Sequence, residues 1–353
     1  DNMSQFLVLS HICVQNANSI AGLTWGFPAI TQFLGFTHAL NRKLSNKYEG
    51  SYATELAGCA VISHEVQNKV YQPKKFADFE FLQSKNPPVL AKHKSSSPPI
   101  IEEGKMNLTV SLVIEFSQTL ALTTSEINKL EQEIETLCYR MRLAGGTILN
   151  INNIKLLSAT TKEQHDVMLK KVKRLTMPGF ALVDKSDYLQ QHYQNLINKS
   201  NQEAKSKPQL FDAWLDFSAM KFKSIPITSQ SDEEPGANTP ADWLPVSKPF
   251  SGYLVPLMTG FKAISELYEA GEVLNTRDEK TPSRFVEAIH SVGEWQGVHR
   301  ISTLSNTIWR YEHDGQWYLC KQSNDESKSL ENSSETIEEE TQFVNFNEAL
   351  NLF

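Results

Sequence analysis

Phe6-Leu7-Val8-Leu9-Ser10-His11-Ile12-Cys13-Val14 runs into Gln15-Asn16-Ala17-Asn18 and then into Leu23-Thr24-Trp25-Gly26-Phe27-Pro28. The first nine residues are apolar and rich in branched side chains, the pattern of an opening strand. Four small or amide residues leave its end. Trp25 and Phe27 stand two apart, so extended backbone turns both rings to one side. Amide side chains donate and accept at once, which suits base edges. Two aromatics beside an amide cluster predict a stacking platform for unpaired bases. The competing reading makes the rings core and the amides turn caps.

The rest of the chain extends this start. Pro28 opens a helix to about Leu44, with Ile30, Phe33, Leu34, Thr37, Leu40 and Leu44 on one face. Leu56 to Val66 and Leu108 to Phe116 read as second and third strands, separated by a loop-like stretch from Val70 to Pro99. Ser125 is placed to cap a second helix, striped by Ile127, Leu130, Ile134, Leu137, Cys138 and Met141. That helix is expected to stop at Leu143-Ala144-Gly145-Gly146, before the strand-like Thr147-Ile148-Leu149. Strand, helix, two strands, helix, strand is the order of an α+β, ferredoxin-like sheet of the RNA-recognition-motif type, with helices on one face. The open face of such a sheet often binds single-stranded RNA.

Further along, the segment from about Lys162 to Pro240 is polar and helical, with a basic cluster at Lys170, Lys171, Lys173 and Arg174. Gly252 to Pro256 returns to strand, Thr281-Pro282 is placed to start a helix, and Ile308 to Cys320 reads as a hairpin turning at Asp314-Gly315. The expected organisation is a ferredoxin-like RNA-binding core over 1–158, a helical insertion over 159–240, completing strands and helices over 241–322, and an acidic, disordered tail over 323–353.

Composition narrows the function classes. Forty per cent hydrophobic content over 353 residues supports a real core. The four cysteines, Cys13, Cys59, Cys138 and Cys320, are scattered, which argues against a zinc site or disulfide framework and suits a reducing cytoplasm. Apolar runs are strand-sized, so no membrane span is expected, and the first residues carry no basic-then-apolar signal pattern. The net charge of -7 is misleading, because Ser323 to Phe353 holds eight acids and one lysine. The remainder is neutral, so RNA binding would need a local patch or a basic partner.

Several motifs resemble one family. Leu9-Ser10-His11, Gln15-Asn16-Ala17-Asn18, Leu23-Thr24-Trp25-Gly26-Phe27-Pro28 and Phe33-Leu34-Gly35-Phe36 resemble the second Csy subunit of type I-F CRISPR surveillance complexes. Met141-Arg142-Leu143-Ala144-Gly145-Gly146, Pro178-Gly179-Phe180-Ala181-Leu182-Val183 and Gly252-Tyr253-Leu254-Val255-Pro256 continue the match. Gly271-Glu272-Val273, Arg277-Asp278, Thr281-Pro282, Arg284-Phe285-Val286-Glu287 and Gly293-Glu294-Trp295 follow in the family's order. The resemblance implies a non-catalytic subunit on a ferredoxin-like fold that holds the 5′ handle of the guide RNA. Its implied partners are the large Csy subunit, the adjacent backbone Csy subunit and, through the assembled complex, target DNA. The acidic tail lies beyond the resembling region.

The expected RNA-binding residues are Gln15, Asn16, Asn18, Trp25, Phe27, Arg142, Gly145 and Gly146, with Arg277, Arg284 and Arg300 as further cationic contacts. Gly145-Gly146 would let backbone approach RNA, or would simply end a helix. The three arginines could instead pair with Asp278, Glu287 or Glu294. No cofactor, metal or catalytic residue is expected. One rival reading is a ferredoxin-like endoribonuclease using His11, His38, His64 or Tyr48. Another is a scaffold that touches only protein.

Overall fold

The computed structural model describes residues 3–47, 55–82, 103–203, 206–227, 239–276 and 278–323. Arg277, Tyr48, most of the proline-rich loop and the acidic tail therefore lie outside the described residues. The elements of the first half are β1 (Ser4–Asn18), β2 (Ile20–Ala21), β3 (Thr24–Trp25), α1 (Ile30–Lys47), β4 (Leu56–Asn68), β5 (Val70–Tyr71), β6 (Glu80–Phe81), β7 (Lys105–Phe116), α2 (Thr124–Cys138), β8 (Arg142–Leu143) and β9 (Gly146–Ala159). After them come α3 (Lys162–Thr176), β10 (Phe180–Asp184), α4 (Ser186–Glu203), α5 (Leu210–Ser218), β11 (Phe222–Pro226), β12 (Ala241–Pro245), β13 (Leu254–Ala263), β14 (Val286–Gly297), β15 (Trp309–Asp314) and β16 (Trp317–Gln322).

The α+β class holds, but the small ferredoxin-like sheet does not. Ten strands form one sheet in the order β10-β14-β13-β16-β15-β4-β7-β1-β9-β8, and β10 also pairs with β4. The recorded registers are antiparallel. The strand–helix order of the first half is embedded in this larger sheet, which the C-terminal strands extend beyond β4.

Helices also cover both faces at one end, not one face. Phe6 and Val8 of β1 pack with Val113, Ala60, Ile62 and Leu157 against Met168 and Val172 of α3. Strand side chains alternate between faces, so Leu7 and Leu9, both fully buried, point the other way. Thr37 of α1 hydrogen-bonds Cys59, the neighbour of Ala60, which puts α1 on that opposite face. A strand buried on both sides reads as a continuous apolar run, as Phe6 to Leu9 does. Burial pushes the thiols of Cys59, Cys138 and Cys320 up to about 12, so they remain protonated core groups.

Local signals explain the helix ends. Thr123, not Ser125, caps α2, and Glu126 closes a capping box with it. Thr161 and Gln164 do the same for α3. Thr281-Pro282 starts no helix: Tyr268 and Ser283 bridge, and the chain enters β14 soon after. The last hairpin forms as expected, with Asp314 opposite Trp317 and Gly315 at φ +55° in its two-residue turn.

The chain divides into two compact units. One holds the described residues up to Asp184, Leu257–His290 and those from Trp295 onward. The other holds Lys185–Pro256 and Ser291–Glu294. In the latter, Leu189, Tyr193, Trp214, Phe217, Leu254 and Val292 form a separate core. Trp214 Nε1 donates to Ser291 O at 3.0 Å. Burial pushes the Asp216 carboxyl up, but hydrogen bonds from Lys221 and His192 outweigh it and hold it below the usual carboxylate range. No described helix is long and apolar enough to cross a membrane.

Candidate nucleic-acid interface

Two irregularities in β1 shape the site. Its pairing with β7 shifts between Leu9 and Ile12, and again between Val14 and Ala17. Within these steps His11 and Asn16 take φ of +51° and +58°. Both are bulges, which bend a strand and re-aim the side chains around them. Asparagine tolerates the left-handed region better than most residues.

The second bulge is held from both sides. Asn16 N–H donates to Asn107 Oδ1 at 3.2 Å, and Lys69 Nζ donates to Asn16 Oδ1. On the other flank Asn18 N–H donates to Ala144 O at 2.7 Å. Leu143 faces Gly146, so Ala144 and Gly145 make a two-residue turn, with φ of +49° and +75°. Two positive φ values are the hallmark of a type I′ hairpin turn. A Cβ on Gly146 would lie 2.6 Å from Val14 Cγ1, 2.7 Å from Gln15 O and 2.8 Å from Ala17 N. Only glycine lets the hairpin lean this closely on β1. The helix-end reading of Gly145-Gly146 is thereby corrected: α2 stops at Cys138 and Arg142-Leu143 is already strand.

Beside the bulge lies a cleft of about 220 Å³, lined by Cys13, Val14, Gln15, Glu65, Gln67, Asn107, Leu108, Thr109 and Leu149. Asn107 and Thr109 share parity with Val113 along β7, and Val113 packs under α3. The cleft is therefore the uncovered continuation of the α3 face. Asn107 Nδ2 donates to Gln67 Oε1 at 3.4 Å. Three amides, Gln15, Gln67 and Asn107, meet here with Lys69 at the bulge. Gln67, Lys69 and Asn107 escaped the sequence reading. Their signal was polar alternation at the ends of strands whose pairing with β1 was unknown.

The other expected residues are placed as follows. Arg142 is exposed beside the turn, opposite Thr147, with Nη1 3.5 Å from Gly145 O. The Asn18 side chain is committed to the fold: it accepts from Ile20 N at 3.0 Å and donates to Ile20 O at 3.3 Å. Trp25 and Phe27 do not share one platform. Trp25 meets Phe81 edge-on at 4.8 Å, whereas Phe27 stacks on Phe33 and meets Trp295 edge-on. Arg284 donates to Gly315 O at 3.3 Å, at the β15–β16 turn. Arg300 is exposed on the short turn after β14, where Lys173 of the α3 basic cluster donates to His299 O. The structure thus gathers Gln15, Asn16, Asn18, Arg142, Gly145 and Gly146, and sets Phe27, Arg284 and Arg300 apart.

Of the rival catalytic candidates, His11 and His64 come together and His38 stands exposed on α1. His64 Nδ1 lies 2.7 Å from Pro178 O and its Nε2 lies 2.6 Å from Ser111 Oγ. Both ring nitrogens are thus engaged. Among the described residues no group of three or more His, Cys, Asp and Glu converges on a metal position.

Comparison with known proteins agrees with the motif reading. Residues 7–320 match the sequence model of the family described as CRISPR-associated protein (Cas_Csy2). The chain is similar to CRISPR-associated protein Csy2 of Pseudomonas aeruginosa (strain UCBPP-PA14), with 35% identity over 317 residues, covering 87% of this chain and 91% of that protein. A match along nearly the whole sheet, at this identity, means that the chain belongs to the Csy2 family of CRISPR-associated proteins.

Proposed function

We propose that this chain, a subunit of a type I-F CRISPR Csy complex by its family, is a non-catalytic holder of the guide RNA's 5′ handle. The carrying observation is the uncovered end of the α3 face. There a bulged strand and a glycine hairpin flank three amides, with Lys69 bonded to Asn16 and Arg142 exposed beside the turn. Amides read the edges of unpaired bases, the two cations neutralise phosphates, and the exposed turn admits backbone close to the chain. No bond-making group is required. The large Csy subunit and the adjacent backbone subunit share the RNA, which fits a body with no excess positive charge. Target DNA is met through the assembled complex.

The test is guide occupancy in complexes purified with Gln15→Ala, Gln67→Ala or both. Each lost amide contact to a base is expected to cost about 1–3 kcal/mol. Unchanged occupancy in the double variant would place the handle elsewhere.

A further inference from the structure

The sequence pairs Trp25 with Phe27, but the fold gives Trp25 different neighbours. The small β5–β6 ribbon, with Val70 opposite Phe81 and Tyr71 opposite Glu80, packs Phe81 against the indole. Trp25, Tyr71, Glu80, Phe81 and Leu82 line an open cleft of about 680 Å³. Trp25 and Phe81 are half-buried and in edge contact, so one wall is fixed in place. Tyr71 is 44% exposed and Leu82 50% exposed, so the cleft is open to a visitor from solvent.

The chemistry of the lining is specific. Tyr71 Oη donates to Glu80 Oε2 at 2.8 Å. A carboxylate accepts about four hydrogen bonds, so Glu80 has acceptor capacity left over. Lysines adjoining the ribbon in sequence carry the opposite charge. Lys69 precedes the ribbon and its O accepts from Leu82 N–H, so cleft and bulge are bonded together. Lys74 and Lys75 lie in the connecting loop, Lys75 5.1 Å from the centre of the Phe76 ring. Aromatic side chains, one acceptor and lysines in the adjoining loop are what an unpaired base on a phosphate backbone needs. An apolar protein side chain would use the rings but not the carboxylate.

We propose that this cleft is a base-binding pocket. It takes one unpaired nucleobase against the Tyr71 ring, beside the fixed Trp25–Phe81 contact, and selects, through Glu80, a base with an amino group. Guanine fits best, since its adjacent N1–H and N2–H donors match a carboxylate. Uracil fits worst, since its two carbonyl oxygens face like charge. The proposal rests on the RNA-holding reading above, and adds a second site to the amide cleft at Gln15.

The experiment uses the assembled complex and guides carrying a single abasic nucleotide at each handle position in turn. One position is expected to weaken binding by about 5- to 100-fold, the loss of one stacked base. That penalty should disappear in Tyr71→Leu and shrink in Glu80→Gln, which keeps the side-chain shape. Restoring guanine, adenine, cytosine or uracil there should rank affinity with guanine first and uracil last, and Glu80→Gln should flatten the ranking. Two results overturn the pocket while leaving the wider reading intact. In one, no abasic penalty depends on Tyr71 or Glu80, although Gln15→Ala with Gln67→Ala still lowers occupancy. In the other, Tyr71→Leu releases a protein subunit with guide affinity unchanged, so the cleft holds a protein side chain. If neither the cleft nor the amide variants affect the guide, both readings fail together.

Discussion

The imidazoles of His11 and His64 stack with centroids 3.9 Å apart and planes inclined by 17°. Two separate bulges create the pair, one in β1 between Leu9 and Ile12 and one in β4 between Ser63 and Glu65. Ser111 of β7 ties them: its Oγ accepts from His11 N–H at 2.8 Å and donates to His64 Nε2. Pro178 O accepts only, so this network assigns the proton of neutral His64 to Nδ1.

Burial pushes the His64 imidazole below its ordinary value of 6.5, and the neighbouring His11 adds to this against the Pro178 hydrogen bond. Burial lowers His290 as well. A histidine whose folded pKa is depressed binds protons more readily in the unfolded chain. Stability is therefore complete above about pH 6.5 and falls as pH drops below it. Thermal unfolding at pH 7.5, 6.5 and 5.5 should show a declining Tm. His64→Phe should flatten part of that decline, and an unaltered pH profile would rule out the assigned neutral state.

Gly146→Ala should destabilise by about 1–3 kcal/mol, because the new methyl meets backbone of β1 on two sides. Gly145→Ala meets only Asn18 Cβ at 3.9 Å, and its cost is the φ of +75°, about 1 kcal/mol. Urea unfolding of the two variants should rank Gly146→Ala as the worse. The reverse order would mean that the hairpin does not lean on the bulge.

Gln322, at the end of β16, ties that strand to β10 and to Thr307. Its Nε2 donates to Leu182 O at 3.0 Å and Thr307 O at 2.9 Å, and its Oε1 accepts from Asp184 N–H at 2.9 Å. Leu182 O keeps Trp309 Nε1 as a second donor at 3.0 Å. Gln322→Leu would thus remove the bond to buried Thr307 O and the part-buried bond from Asp184 N–H, for a loss of about 1–3 kcal/mol. A shift in the denaturation midpoint smaller than that of an exposed control such as Glu312→Gln would contradict this role.

Arg142→Ala should weaken guide binding about equally for all handle sequences and lower the salt slope of the binding constant by about one. The measurement is guide affinity of assembled complexes over a range of salt. An unchanged slope would take Arg142 off the phosphate path.

Removing residues 324–353, which carry eight acids and one lysine, should leave guide affinity unchanged or slightly higher at low salt. A loss of complex assembly on deletion would instead assign docking to the apolar end around Phe343, Val344 and Phe346.

Much of the fold was legible because its signals are local. The apolar run Phe6 to Val14 announced the opening strand, Pro28 a helix start, and Asp314-Gly315 a hairpin. What failed depended on partners distant in sequence. Ser125 and Thr123 both have capping chemistry, and only the reach of Glu126 back to Thr123 decides between them. Gly145-Gly146 suits a helix end as well as a turn until Gly146 is seen packed on Val14 and Gln15. The same limit separated Trp25 from Phe27. Their spacing places two rings on one side of an ideal strand, but Gly26 at φ +152° and the packing of Phe33 and Phe81 send them apart.

By itself the sequence determined the α+β class, the Csy2 family and the cluster of amides at the end of β1, since composition, periodicity and ordered motifs are properties of the chain alone. Tertiary structure decided the size of the sheet, because strands that bury both faces can add neighbours from anywhere in the chain. It also decided which polar residues face one another. Gln67, Lys69 and Asn107 reach the bulge at Asn16 only through the register of β4, β7 and β1, and one residue of slip would turn them to the opposite face.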